Sequence, residues 1–168
     1  WDEQLGVNLL DTGAPFYEVY ETADDKFVAV GTVEPKFYAE LMARLGVEAD
    51  LDAQYDKTRW PDEKKKLAEV FRTKTRDEWC ALLEGTDACF APVLTPIDAP
   101  DHPHNRARGT FVELAGVPQP APAPRFSRSA PPTPAPAMHP GADTDAVLAG
   151  WGFEASEVAR LRDTGAVL

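Results

Sequence analysis

Asn8-Leu9-Leu10-Asp11-Thr12-Gly13-Ala14-Pro15-Phe16-Tyr17 is the stretch on which the reading of the whole chain turns. Two leucines lead into a carboxylate, a glycine stands two residues on, and a proline and two aromatics close the run. An apolar segment that ends in Asp and Gly reads as an element stopping at a turn that glycine permits, with its last polar side chain exposed. Asp11 is therefore the candidate for chemistry. A carboxylate half fenced by hydrocarbon is expected to have its pKa raised towards the value a general base needs. The same residues also make a plain Asx turn, and the local pattern leaves both readings open.

The 168 residues admit one ordinary core or two small lobes. No apolar run approaches the roughly 20 residues that span a bilayer, and no secretory leader pattern opens the chain, which reads as soluble. Its first residue is Trp1, so the chain is expected to be processed or a piece of something longer. A formal charge of −11 argues against nucleic acid or an anionic membrane as the main partner. Arg106, Arg108, Arg125 and Arg128 gather in the second half, where they form either a patch for a phosphate-bearing small ligand or a solvated loop. Cys80 and Cys89 have neither metal spacing nor a disulfide framework, and read as reduced core thiols of an intracellular, cytoplasmic protein.

Downstream of Asp11, Tyr17 to Thr22 and Phe27 to Gly31 are two β-rich runs joined by a polar turn, a hairpin pattern. Glu34-Pro35 opens a helix with Phe37, Tyr38, Leu41, Met42 and Leu45 on one face and Gly46 as its cap. Glu48 to Arg59 is an irregular surface connection. Trp60-Pro61-Asp62 starts a second amphipathic helix that buries Leu67, Val70 and Phe71 and turns Lys64, Lys65 and Lys66 largely to solvent. Thr75 and Glu78 form a capping box, with Trp79, Leu82 and Leu83 as the buried stripe behind it and Gly85 at the end. Ala88 to Leu94 predicts a short, fully buried strand whose Pro92 requires an edge or a bulge. Pro96 to His104 reads as a proline and acid loop, and Gly109 to Leu114 as a strand. Val117 to Pro140 is expected to be an extended strap, and two short helical patterns, Thr144 to Trp151 and Ala155 to Arg162, finish the chain. There is no internal repeat and no glycine-rich phosphate loop.

Leu9-Leu10-Asp11-Thr12-Gly13-Ala14 resembles the active-site tripeptide of aspartic proteases. That chemistry needs two such aspartates sharing a proton inside an almost entirely β fold, whereas the segment is followed by helices and no second Asp-Ser/Thr-Gly occurs. A longer match fits better. Asn8 to Asp11, Gly13 to Tyr17, Tyr20-Glu21-Thr22-Ala23-Asp24, Ala29-Val30-Gly31, Glu34 to Tyr38, Glu78-Trp79-Cys80, Gly85 to Cys89, Pro92 to Thr95 and Arg108 to Phe111 resemble, in order and spacing, the α-methylacyl-CoA racemases of the family III CoA-transferase superfamily. The likeness covers nearly the whole chain and matches only the C-terminal half of such an enzyme.

The resemblance implies an α/β fold: an α+β small domain with strand and helix segments returning to a doubly wound large domain that is mostly absent here, in an intertwined dimer. It implies that residues 1–22 end the large CoA-binding domain, 23–118 form the small domain, and 119–168 form the strap and helices returning to the large domain. The implied activity exchanges the α-proton of 2-methylacyl-CoA thioesters in fatty acid and lipid metabolism, without metal or redox cofactor, coenzyme A being part of the substrate. Two acid/base groups must then flank a planar enolate. The family's aspartate falls on Asp11, and its histidine lies upstream of the chain. Asp98 is the position that fits an acidic residue near the catalytic pair. Asn8 is expected to brace the turn and, with Gly13 and Tyr17, to contact substrate, while the backbone amide of Asp11 is a candidate donor to the enolate oxygen. His102, His104 and His139 read as solvated loop residues. Thr12 replaces the family's usual glycine, Asp25 the hairpin glycine, and Asp143 a histidine of the tail. A CoA-transferase of the same superfamily, or a non-catalytic piece that completes a dimer, remains open.

Overall fold

A computed structural model describes residues 2–168 and divides into two units, one reaching to Ala99 and the other starting at Pro100. The first unit is built on three antiparallel strands, β1 (Tyr17–Glu21), β2 (Phe27–Gly31) and β3 (Phe90–Val93), in the order β1-β2-β3. Val19 pairs with Ala29, and Ala29 with Ala91. The period-2 alternation sends Tyr20, Val28 and Val30 into the core and leaves Tyr17, Val19, Phe27 and Val93 exposed on the opposite face. Pro92 is tolerated because β3 is an edge strand, as expected. Its burial alternates, however, so β3 is not the fully buried strand that its apolar composition predicts.

Three helices, α1 (Pro35–Leu45), α2 (Trp60–Phe71) and α3 (Arg76–Leu83), supply the rest of this core. Their ends follow from local chemistry. Gly46 takes a left-handed φ of 71°, which lets the Val47 amide donate to Met42 O at 2.9 Å. At α3 both halves of the capping box form: the Glu78 amide donates to Thr75 Oγ1 at 3.3 Å, and the Thr75 amide to the Glu78 carboxylate at 2.8 Å. Trp79 and Leu83 are buried as expected, but Leu82 lies on the outer side of this short helix.

The stretch around Asp11 is tied to this core by Phe16. Its ring is fully buried and meets Tyr38, Tyr55 and Trp60 edge-on at centroid distances of 5.7, 5.7 and 5.9 Å. A second aromatic group, Tyr20 stacked on Phe71 with Trp79 edge-on to it, continues the core under the sheet. Three of these aromatics pair their polar ends: Tyr20 donates to Pro15 O, Trp60 to Gln54 O and Trp79 to Phe71 O.

In the second unit a two-stranded sheet pairs β4 (Phe111–Leu114) with β5 (Val117–Pro120) across Ala115 and Gly116, both at positive φ. That geometry is the two-residue hairpin turn. Two helices, α5 (Thr144–Gly150) and α6 (Ala155–Asp163), close the chain and are linked by an Asp145–Arg162 ion pair at 2.8 Å. Two expectations are corrected here. The proline and acid loop holds a short 3-10 turn at Ala99–Asp101 and a five-residue helix, α4 (Pro103–Ala107), and the strap begins as strand β5. Residues 121–140 otherwise lack regular structure, as their proline content predicts. The thiols are corrected as well: Cys80 is half-buried and Cys89 exposed, so neither is a core residue.

Candidate active site

Asp11 lies in a turn ordered by Asn8. Asn8 is buried, and its backbone amide donates to Asp11 Oδ1 at 2.7 Å while its side-chain Nδ2 donates to Oδ2 at 2.8 Å. Each carboxylate oxygen thus has its own donor. Asn8 is fixed in turn, accepting from the Asp2 amide at 2.8 Å and donating to Asp2 O at 2.9 Å. Gly13 closes the loop by donating to Asn8 O at 3.1 Å.

These donors set the electrostatics. The Asn8 side chain, opposed by partial desolvation and joined by the amides of Asn8, Gly6 and Gly13, holds the Asp11 carboxyl below its ordinary value of 3.8. This corrects the raised pKa expected from the apolar flank: hydrogen bonds to the charged form outweigh the hydrocarbon. A depressed folded value means that Asp11 stabilises the fold above its unfolded pKa, and that this contribution is lost as pH falls through the folded one. In a carbon-detected titration Asp11 is expected to protonate below pH 3.8, and in Asn8→Ala its midpoint moves upward.

Thr12 takes the left-handed conformation at φ 71°. A β-branched residue is strained there by about 1–2 kcal/mol. Thr12→Gly removes that strain and returns roughly 0.5–1 kcal/mol of unfolded-chain entropy, so a net gain of up to about 1 kcal/mol is expected in chemical denaturation. Gly13 is constrained differently. A Cβ there would lie 2.4 Å from Asn8 O and 2.5 Å from the Val7 carbonyl carbon, so only glycine fits.

Beside the turn opens a cleft of about 570 Å³, lined by Gly6, Val7, Gly13, Trp60, Pro61 and the stem of Lys57 among others. Its surface is mainly hydrocarbon and ring, suited to an acyl chain, and Asp2, Lys57, Lys64 and Lys65 add charge to the lining. Of the residues singled out in the sequence, Asn8, Asp11 and Gly13 come together in the turn, and Gly13 also lines the cleft. Tyr17 is exposed at the start of β1, and Asp98 is exposed in a turn where its amide donates to Thr95 O at 3.1 Å. Asp98 is not among the partners that the described residues provide for Asp11. His104 and His139 are exposed. Arg106 pairs with Asp101 at 2.6 Å, and Arg125 donates to the carbonyls of Arg108 and Gly109, which occupies two of the four arginines of the supposed phosphate patch.

Lys64 is the contact that the lysine triplet concealed. Its Nζ donates to Thr12 O at 2.6 Å and forms an ion pair with Glu18. The signal was present in the spacing: Trp60, Lys64, Leu67 and Phe71 share one helix face, and the other three are buried.

Residues 2–144 match the family model described as CoA-transferase family III. The chain is 46% identical over 165 residues to a Mus musculus protein named Alpha-methylacyl-CoA racemase, covering 96% of this chain and 43% of that protein. The Homo sapiens protein of the same name is 42% identical over 167 residues, with the same coverage. The chain thus spans less than half the length of these curated relatives. Among solved structures, Rv3272 from M. tuberculosis superposes with a TM-score of 0.57 at 18% identity, over 68% of this chain and 33% of that one. A CAIB/BAIF family protein from Brucella suis gives 0.56 at 21% identity, over 80% and 37%. These two superpositions establish a shared mixed α/β fold. The family match over residues 2–144, most of the chain, shows that it belongs to CoA-transferase family III.

Proposed function

We propose that this chain supplies one of the two acid/base groups of an α-methylacyl-CoA racemase. Inverting a 2-methylacyl-CoA requires removing the α-proton beside the thioester and returning a proton to the opposite face of the enolate. Asp11 serves one face, and a histidine of the upstream half serves the other. The observation that carries this reading is a carboxylate gripped at both oxygens, in a turn whose Gly13 lines a cleft, in a chain 46% identical over 165 residues to a protein named Alpha-methylacyl-CoA racemase.

Asp11 is ionised at neutral pH, the form a base requires, and the Asn8 bonds that lower its pKa weaken it as a base. Stabilisation of the enolate oxygen must therefore carry much of the barrier reduction, and the backbone amide of Asp11 is assigned as one donor. Asn8 orients the base, Gly13 admits the acyl group close to the backbone, and Tyr17 borders the bound substrate. Asp98 takes the acidic position near the catalytic pair. Proton transfer of this kind needs no metal or redox cofactor, and coenzyme A enters as part of the substrate. The exposed apolar face formed by Tyr17, Val19, Phe27 and Val93 supports an interlocked homodimer in which that face is covered. The net charge of −11 disfavours nucleic acid and anionic membrane as partners, and no helix among the described residues is long and apolar enough to cross a membrane. The free thiols fit a cytoplasmic setting, in branched acyl-CoA metabolism.

The test is to give the full-length protein a single epimer of a 2-methylacyl-CoA together with a free carboxylic acid. Chiral chromatography is expected to show relaxation towards a mixture of both epimers, with no CoA on the acid. CoA transferred without epimerisation would replace this reading with a CoA-transferase.

A further inference from the structure

We infer that Lys64 is a positioning residue for Asp11, an inference that rests on the assignment of Asp11 as the base. Three adjacent lysines occupy α2, and their contacts separate them. Lys65 and Lys66 form local pairs with Asp62 at 3.2 Å and Glu63 at 3.8 Å, one helical turn away on the outer side. Such exposed pairs contribute little. Lys64 instead reaches 52 positions back along the chain to Thr12 O at 2.6 Å, and its ammonium also meets Glu18 of β1. The Glu18 side chain is 14% exposed and that of Lys64 31%, so this junction is largely shielded from water.

The accepting carbonyl has a particular place. Thr12 C=O and Gly13 N–H belong to a single peptide plane, one residue beyond Asp11 in the same turn. Lys64 holds its oxygen, and Asn8 O holds its N–H at 3.1 Å. The plane is therefore pinned at both ends, by a buried-face lysine of the helical layer and by the same Asn8 that grips the carboxylate. Pinning is needed because Thr12 sits at φ 71°, which its branched side chain disfavours. Relaxing φ at Thr12 swings its carbonyl, which the Lys64 bond opposes; without Lys64 that rotation is freed and the turn that holds the Asp11 carboxylate loosens with it. Displacement of a reacting group by about 1 Å costs on the order of 10²-fold in rate.

The test uses the full-length protein with Lys64→Met, Lys64→Arg and, as a control on the same helix, Lys66→Met. Lys64→Met is expected to lower kcat for epimerisation by about 10²-fold with KM within about 2-fold, Lys64→Arg to restore most of it, and Lys66→Met to leave it unchanged. Amide hydrogen exchange supplies a readout independent of activity: the Gly13 amide should exchange about 10-fold faster in Lys64→Met, while Leu67 and Phe71 keep their protection. If Lys64→Met prevents folding, Glu18→Gln, which removes the charge that anchors the ammonium, is expected to give the same changes in smaller measure. Unchanged kcat, unchanged Gly13 exchange, or a loss that follows the melting temperature and is not rescued by arginine would overturn the inference. Asp11→Asn measured alongside separates the two assignments: if it retains activity the base is wrong, and if only Lys64→Met is silent the positioning role is wrong.

Discussion

Asp11→Asn is expected to lower kcat for epimerisation in the full-length protein by about 10²–10⁴-fold, the share that a positioned general base supplies. The substitution preserves the shape of the side chain and removes its ability to take a proton. It also places an amide donor where both carboxylate oxygens now accept, from the Asn8 backbone and from Asn8 Nδ2. One of those contacts becomes donor against donor, and the turn loosens. Rates must therefore be compared well below the melting temperature of the variant, where a loss that persists reports on chemistry and one that vanishes reports on folding. KM is expected to change little, because the carboxylate acts on the α-proton and not on the bulk of the CoA thioester. A variant retaining more than about a tenth of the wild-type kcat would remove Asp11 from the mechanism.

Gly13→Ala is expected to have the largest effect on the architecture of the site. The added Cβ would lie 2.4 Å from Asn8 O, 2.5 Å from the Val7 carbonyl carbon and 2.7 Å from Asn8 N, all backbone atoms that no rotamer change can clear. The strand of chain at Val7 and Asn8 must move, breaking the Gly13–Asn8 bond and disturbing both grips on Asp11. Forced overpacking of this kind costs roughly 1–3 kcal/mol, and here lost hydrogen bonds add to it. An instructive contrast is Gly46→Ala, where nothing lies within 4 Å of the new methyl and only the left-handed φ is penalised, by about 1–2 kcal/mol. Chemical denaturation should rank Gly13→Ala as the more damaging of the two, and only Gly13→Ala should also reduce kcat.

Where the chain's structure follows from neighbours a few positions apart, the sequence foretells it. Pro35 and Gly46 bracket α1, and Thr75 with Glu78 starts α3, because caps and turns are decided within four residues. The hairpin of β1 and β2 was legible despite its poor Asp24-Asp25 turn. Asp24 accepts from Thr22 Oγ1 at 2.7 Å and from the distant Arg76 amide at 2.9 Å, contacts that hold its carboxyl far below the usual range and hold the turn in place. Strand β5 was hidden by its prolines, Pro118 and Pro120, which read as an extended strap until a pairing partner is known. Leu82 belongs to the stripe with Trp79 and Leu83 in the sequence, yet it is exposed while the other two are buried.

The site divides along the same line. Asp11 and Gly13 stood out in the local pattern, and Asn8 three residues before Asp11 is within reach of a turn bond. The direction of the Asp11 pKa did not follow from that pattern, since it depends on whether the two Asn8 donors point inward, and they do. Lys64 depended on a contact 52 residues away, and only its place between Trp60 and Leu67 marked it. Asp98 and Tyr17 rest on the family likeness alone; in the described residues both are exposed.

The central claim is that Asp11 serves one face of the α-carbon. The direct measurement is deuterium entry from heavy water into each epimer of a 2-methylacyl-CoA, followed by mass spectrometry with full-length Asp11→Asn. A one-sided result is expected. The epimer whose α-proton faces Asp11 stays unlabelled, while the opposite epimer still exchanges through the second base and does not invert. Labelling of both epimers at wild-type rates would contradict it.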